Sequence, residues 1–155
     1  MQLCVGERHS VLVDAAGTLY SWGYNGSGNL GLGSLKNQSV PQKVDLPEGG
    51  GLAASACCGG SYSFGFSGPF SIAVTQEGAL YTFGDGNHGR LGTGGATEMR
   101  KRPSKVLLPT PVVQAACGGG HAAAVTSDGA LYTWGRDVYV DGVHPAPTPH
   151  CMGHL

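Results

Sequence analysis

One short phrase recurs three times in this chain, as Gly17-Thr-Leu-Tyr-Ser-Trp-Gly23, Gly78-Ala-Leu-Tyr-Thr-Phe-Gly84 and Gly129-Ala-Leu-Tyr-Thr-Trp-Gly135. Such recurrence marks a repeat architecture, in which each unit is one supersecondary module that cannot bury its apolar face alone. The match extends past the phrase itself. Gly28-Asn-Leu-Gly31 follows the first copy and Gly89-Arg-Leu-Gly92 the second, while Gly6-Glu-Arg-His9 precedes the first and Gly118-Gly-Gly-His121 the third. The unit is roughly 50 residues long, the range of propeller blades.

Each unit reads as strands. Ser10-Val-Leu-Val13, Ser71-Ile-Ala-Val74 and Ala122-Ala-Ala-Val125 are short apolar runs. Each is followed by a glycine turn and then by β-formers, which makes a hairpin per repeat. A further strand precedes each hairpin, clearest at Val112–Cys117, and an outer one follows near Pro41–Val44 and Pro103–Val106. Proline at the start of that fourth strand suits an outer edge, where a missing donor does no harm. No stretch shows helical periodicity, so the expected class is all-β.

Composition fits such a fold. Glycine supplies 28 of 155 residues, serving tight turns and close backbone contacts. Charged residues are 12%, about half the usual share. A formal net charge of −1 argues against a globally basic nucleic-acid binder. Five cysteines, an odd number, and the lack of an apolar leader read as a reduced intracellular protein, cytoplasmic or nuclear, or part of an organelle assembly. No window approaches the length of a membrane span.

The pattern Gly-x-x-His-Ser, apolar strand, Gly-x-Leu-Tyr-x-Trp/Phe-Gly and Gly-x-Leu-Gly resembles the regulator of chromosome condensation repeat family over about Met1 to Val140. The resemblance implies four-stranded blades of a seven-bladed β-propeller. Gly6, His9, Gly17, Trp22, Gly31, Gly78, Phe83, Gly92, Gly118, His121, Gly129 and Trp134 are then structural repeat positions. Another propeller type or a β-solenoid is the competing fold, and the long period disfavours the solenoid.

The expected organisation is blades over 1–142 and a proline-rich tail over 143–155. The blades divide into a partial one at 1–48, a full one at 49–110 carrying an insert at 60–70, and a partial one at 111–142. Met1 falls in the middle of a strand, and Trp134-Gly135 runs on without the Gly-x-Leu-Gly element. About three blades make an open arc, which suggests a fragment of a longer propeller or a ring completed by other chains.

The insert is the first candidate site. The gap from Gly59 to Phe70 far exceeds that from Gly118 to His121, and the added segment carries Tyr62, Phe64, Phe66 and Phe70. Aromatics on a loop leaving a rigid scaffold are favoured anchors for a partner. They serve equally as a cover over an inter-blade groove. The second candidate is the basic group Arg90, Arg100, Lys101, Arg102 and Lys105, expected on an exposed connection where it meets phosphate or an acidic partner, or is simply solvated. Its charge offers attraction without sequence-specific nucleic-acid readout.

Nothing points to catalysis. His9 and His121 recur with the blade and so satisfy repeated backbone groups, and Cys117 four residues from His121 is not oriented as a nucleophile and base. His144, His150, Cys151 and His154 match no closed metal site. No phosphate loop or paired carboxylates occur, so neither enzyme activity nor a cofactor is expected.

Two functions remain. The first is a noncatalytic protein-interaction scaffold, possible within a larger assembly. The resemblance also implies an alternative, guanine-nucleotide exchange on a Ran-like small GTPase with chromatin association. Ultraviolet sensing, known among plant relatives, is set aside, because Glu7 stands where they carry a tryptophan and the only two tryptophans, Trp22 and Trp134, are repeat positions.

Overall fold

The computed structural model describes residues 1–61, 67–95, 97–136 and 146–154. It contains three antiparallel sheets, each a four-stranded meander. Blade 1 holds β1 (Gln2–Val5), β2 (His9–Val13), β3 (Leu19–Gly23) and β4 (Gln38–Val44). Blade 2 holds β5 (Ala53–Ser61), β6 (Ser67–Thr75), β7 (Leu80–Gly84) and β8 (Arg100–Val106). Blade 3 holds β9 (Val112–Cys117), β10 (His121–Thr126), β11 (Ala130–Gly135) and β12 (Ala146–His154). These are propeller blades, as the repeat predicts.

Neither sheet face is left to water at the two junctions, because the period-2 alternation puts apolar side chains on both sides of each blade. Val11, Val13, Leu19 and Val44 of blade 1 pack against Ala53, Ala56, Ala73 and Phe83 of blade 2. Ile72, Val74, Leu80 and Val106 of blade 2 pack against Val112, Ala122, Ala124 and Trp134 of blade 3. The core therefore lies between blades. Burying a side chain such as Ile72 or Leu80 there contributes about 1.5–3 kcal/mol.

Backbone bonds fix the spacing of the blades. Gly17, at φ +81°, ends the β2–β3 turn with its carbonyl aimed at blade 2, where the Ala53 amide donates to it at 2.9 Å. Gly78, at φ +80°, presents its carbonyl to the Val112 amide at the same distance. Each hairpin turn thus anchors the first strand of the next blade. The turns are closed by side chains: Asp14 Oδ1 accepts from the Ala16 and Thr18 amides, and Thr75 Oγ1 from the Ala79 amide.

The tail reading is corrected. Residues 143–155 were expected to form a proline-rich tail outside the blades, yet Ala146–His154 forms the fourth strand of blade 3, with Thr133 opposite His150 and Gly135 opposite Ala146. The register breaks between those pairs, as it does between Ser21 and Gly23 opposite β4, and between Thr82 and Gly84 opposite β8. Pro41, Pro103 and Pro149 share this irregular position. A missing amide costs nothing at a bulge on an outer edge, so proline here belongs to the strand rather than ending it. For the same reason β4 and β8 start three residues before their prolines.

The insert is corrected too. It was expected to leave the sheet, but β5 runs on to Ser61, which pairs with Ser67 at the start of β6. Gly60, at φ +99°, lies at the register break between Gly59 and Ser61.

Candidate protein-interaction site

The proposed aromatic site divides. Tyr62, Phe64 and Phe66 lie outside the described residues. Phe70 does not bind a partner: it is wholly buried, in the slot that His9 and His121 occupy in the other blades, and it packs into the core between blades 2 and 3. Its ring lies so close over Gly59 that a Cβ there would stand 2.4 Å from Phe70 Cε1. The base of the hairpin is tied to blade 3, since the Gly60 amide donates to the Gly118 carbonyl at 3.0 Å.

The basic group divides as well. Arg90 was expected to be exposed, and it is instead fully buried. Its Nε donates to the Asn87 carbonyl at 2.8 Å and its Nη1 to the Gly68 carbonyl at 2.7 Å, with Asp85 Oδ2 3.5 Å away. Burial pulls the guanidinium pKa down and the Asp85 carboxylate works against that pull. A planar fork of donors satisfies several carbonyls at once, which is why arginine tolerates such a place. Arg90 clamps the base of the hairpin to the β7–β8 connection.

Arg100, Lys101, Arg102 and Lys105 lie on β8 itself rather than on the connection before it. Arg100 pairs with Glu98. Lys101, Arg102 and Lys105 are exposed. The Lys101 carbonyl accepts from the Gly33 amide of blade 1 at 2.8 Å, and the Arg102 guanidinium lies against Gly33. These residues form a basic ridge on the outer edge of blade 2, where cationic side chains also blunt the exposed edge of a sheet.

A polar relay joins blades 1 and 2. Ser71 Oγ donates to the Asn29 carbonyl at 2.8 Å, which commits its proton, so His9 Nε2 carries the hydrogen donated to Ser71 Oγ, also at 2.8 Å. Burial pushes the His9 pKa down to about 4, so the ring is neutral, and its buried Nδ1 has no partner. His121, by contrast, is exposed. At the second junction Trp134 Nε1 donates to the Arg90 carbonyl at 3.0 Å. Asn29 and Arg90 both precede the leucine of Gly-x-Leu-Gly, and both offer their carbonyl to the next blade. The repeat phrase alone does not single out Ser71 or Asn29; their place beside repeat positions is the only signal.

Cys4, Cys57, Cys58 and Cys117 gather where the first strands of adjacent blades converge, while Cys151 is exposed on β12. The Cys58 amide donates to Cys4 Sγ at 3.3 Å, and Cys58 Sγ reaches the Cys4 carbonyl at 3.6 Å. Burial pushes the Cys58 thiol pKa up, and contact with Cys57 together with burial does the same to Cys117. Neither is a ready nucleophile. In β12, His154 Nε2 faces Asp128 Oδ2 at 3.8 Å. Among the described residues no three His, Cys, Asp or Glu side chains converge as metal ligands would, and no helix is long and apolar enough to cross a membrane.

The profile of the Regulator of chromosome condensation (RCC1) repeat matches residues 16–65 and 77–125, and a second profile of that name matches 2–29 and 112–139. The chain belongs to the RCC1 repeat family. Human "E3 ubiquitin-protein ligase HERC2" is 33% identical over 138 residues, 88% of this chain and 3% of that protein. The "Ultraviolet-B receptor UVR8" of Arabidopsis thaliana is 34% identical over 155 residues, 99% of this chain and 33% of that protein. Prp20p of Saccharomyces cerevisiae, whose crystal structure was described with its binding to Gsp1p and histones, shares the fold with a TM-score of 0.76 at 22% identity, over 99% of this chain and 38% of that one. The RCC1 repeats here thus span a third or less of the two sequence relatives. Such varied relatives have the repeat in common and not one activity.

Proposed function

We propose that this chain is a noncatalytic protein-interaction scaffold of RCC1 repeats, working inside the cell in the nucleus, the cytoplasm or an organelle assembly. The observation that carries the reading is the use made of the polar side chains. His9, Ser71 and Arg90, which a catalytic site would need free, are buried and engaged in holding blades and loops together. What remains accessible among the described residues is surface, including the ridge Lys101, Arg102 and Lys105, suited to an acidic protein partner; Phe64 and Phe66 of the insert are the second proposed anchor.

Guanine-nucleotide exchange on a Ran-like GTPase is the second reading, favoured by the likeness in fold to Prp20p. One experiment separates them. The chain, tagged in cells, is recovered with and without chelation of magnesium, and the purified chain is added to Ran loaded with a fluorescent guanine nucleotide. A stoichiometric partner set indifferent to chelation, lost on Lys101→Glu with Arg102→Glu, and no faster nucleotide release support the scaffold. Accelerated release overturns it in favour of exchange.

A further inference from the structure

Cys57 and Cys58 are neighbours on β5, so their side chains leave the strand on opposite faces, one toward each adjoining blade. Cys58 and Cys4 pack against the core between blades 1 and 2, while Cys57 and Cys117 pack against the core between blades 2 and 3. At the first junction the Cys58 amide lies 3.3 Å from Cys4 Sγ, and Cys58 Sγ reaches the Cys4 carbonyl at 3.6 Å. At the second, Cys57 and Cys117 meet thiol to thiol. Both junctions use one arrangement. Cys4 stands opposite Val11 and Cys57 opposite Ile72, equivalent places in two blades, whereas Cys58 opposite Ser71 and Cys117 opposite Ala122 stand one place further along. Each junction thus pairs the earlier place of one blade with the later place of the next. Because Cys57 and Cys58 point apart, the four thiols make two pairs rather than one tetrahedral set, and among the described residues no third ligand joins either pair.

We infer that Cys4 with Cys58, and Cys57 with Cys117, are two disulfide sites, one per blade junction, closed by a low-molecular-weight disulfide. All four side chains are half-buried, which leaves them open to a small reagent. The thiolate of Cys4 or Cys57 attacks one sulfur of the reagent, forming a mixed disulfide and releasing one reagent thiol. The thiol of Cys58 or Cys117 then loses its proton and attacks the cysteine sulfur of that bond. The link between blades forms, and the second reagent thiolate leaves and takes up the proton. Two cysteine sulfurs are oxidised and two reagent sulfurs reduced. Burial raises the pKa of Cys58 and Cys117, which suits them to the second, intramolecular step. The inference goes beyond the scaffold reading and does not depend on it, since its test involves no protein partner.

The folded chain is incubated with oxidised glutathione, free thiols are alkylated, and mass spectrometry reads the intact chain and its unreduced tryptic peptides. These four cysteines are expected to lose four hydrogens, with the peptide carrying Cys57 and Cys58 joined to those carrying Cys4 and Cys117. Cys57→Ser is expected to keep only the Cys4 link and Cys58→Ser only the Cys117 link; the wild-type peptides carry the assignment if either variant fails to fold. Each link closes a long loop in the unfolded chain, so the thermal midpoint should rise, and dithiothreitol should return it. A bond between Cys57 and Cys58, glutathione left on these cysteines, unreacted thiols or a midpoint that does not rise overturns the inference. So does zinc that shields the four thiols of the reduced chain from alkylation, which makes the group a metal site.

Discussion

Gly92 of blade 2 lies flat against the indole of Trp134 in blade 3, so close that a Cβ at Gly92 would stand 2.8 Å from Trp134 Nε1. Gly31 and Phe83 repeat the relationship one junction earlier, where a Cβ would stand 2.9 Å from the Phe83 ring. Each glycine has left-handed φ, +69° and +72° respectively. Absent Cβ and permitted backbone serve one purpose, seating an aromatic under the turn of the preceding blade.

Gly92→Ala should therefore lower stability by about 2–3 kcal/mol, combining left-handed strain with a displaced indole. Gly49 has φ +79° but open space around it, so Gly49→Ala carries only the backbone part. Chemical denaturation of the two variants compares them. Equal losses would mean that the indole contact is unimportant.

Trp134→Ala should cost about 3–5 kcal/mol as a truncation of the second core. Trp134→Phe imitates blade 2, where Phe83 fills the same place, and should cost about 1–3 kcal/mol, chiefly through the Arg90 carbonyl left without its indole donor. A phenylalanine variant as unstable as the alanine variant would contradict this.

His9 makes stability depend on pH. Its folded pKa of about 4 lies below the ordinary 6.5, so the unfolded chain binds more protons between those values. The contribution is full above about pH 6.5 and declines as the pH falls towards 4, by up to about 3 kcal/mol. Denaturation at several pH values should show the loss, and His9→Gln should flatten it. The same slope in the variant would assign the effect to other groups.

Phe64→Ala with Phe66→Ala should weaken partner binding and leave the unfolding transition in place. Phe70→Ala, a few residues on, should cost about 3–5 kcal/mol because Phe70 is core. Affinity measured beside thermal unfolding separates the two. If the double variant no longer unfolds cooperatively, the insert belongs to the core and the binding idea fails.

The repeat phrase was enough to read the blades. Strand propensity, glycine turns and the aromatic place recur at fixed spacing, and each is a local property that a sequence displays directly. Trp22, Phe83 and Trp134 stand in equivalent places in three sheets for that reason. Local chemistry misled at Pro147 and Pro149, where proline reads as coil until an edge strand with a bulge gives it a place.

Other features depend on what stands opposite. Arg90 reads as a surface cation, and only the carbonyls of Gly68 and Asn87 converging on it make burial tolerable. His9 and His121 are alike in sequence, yet one is buried against Ser71 and the other exposed, because a blade follows the first and none follows the second among the described residues. By itself the sequence determined the blade, since the blade is built from neighbours in the chain. The junctions were decided by the tertiary structure, since packing and desolvation act between residues the chain holds far apart.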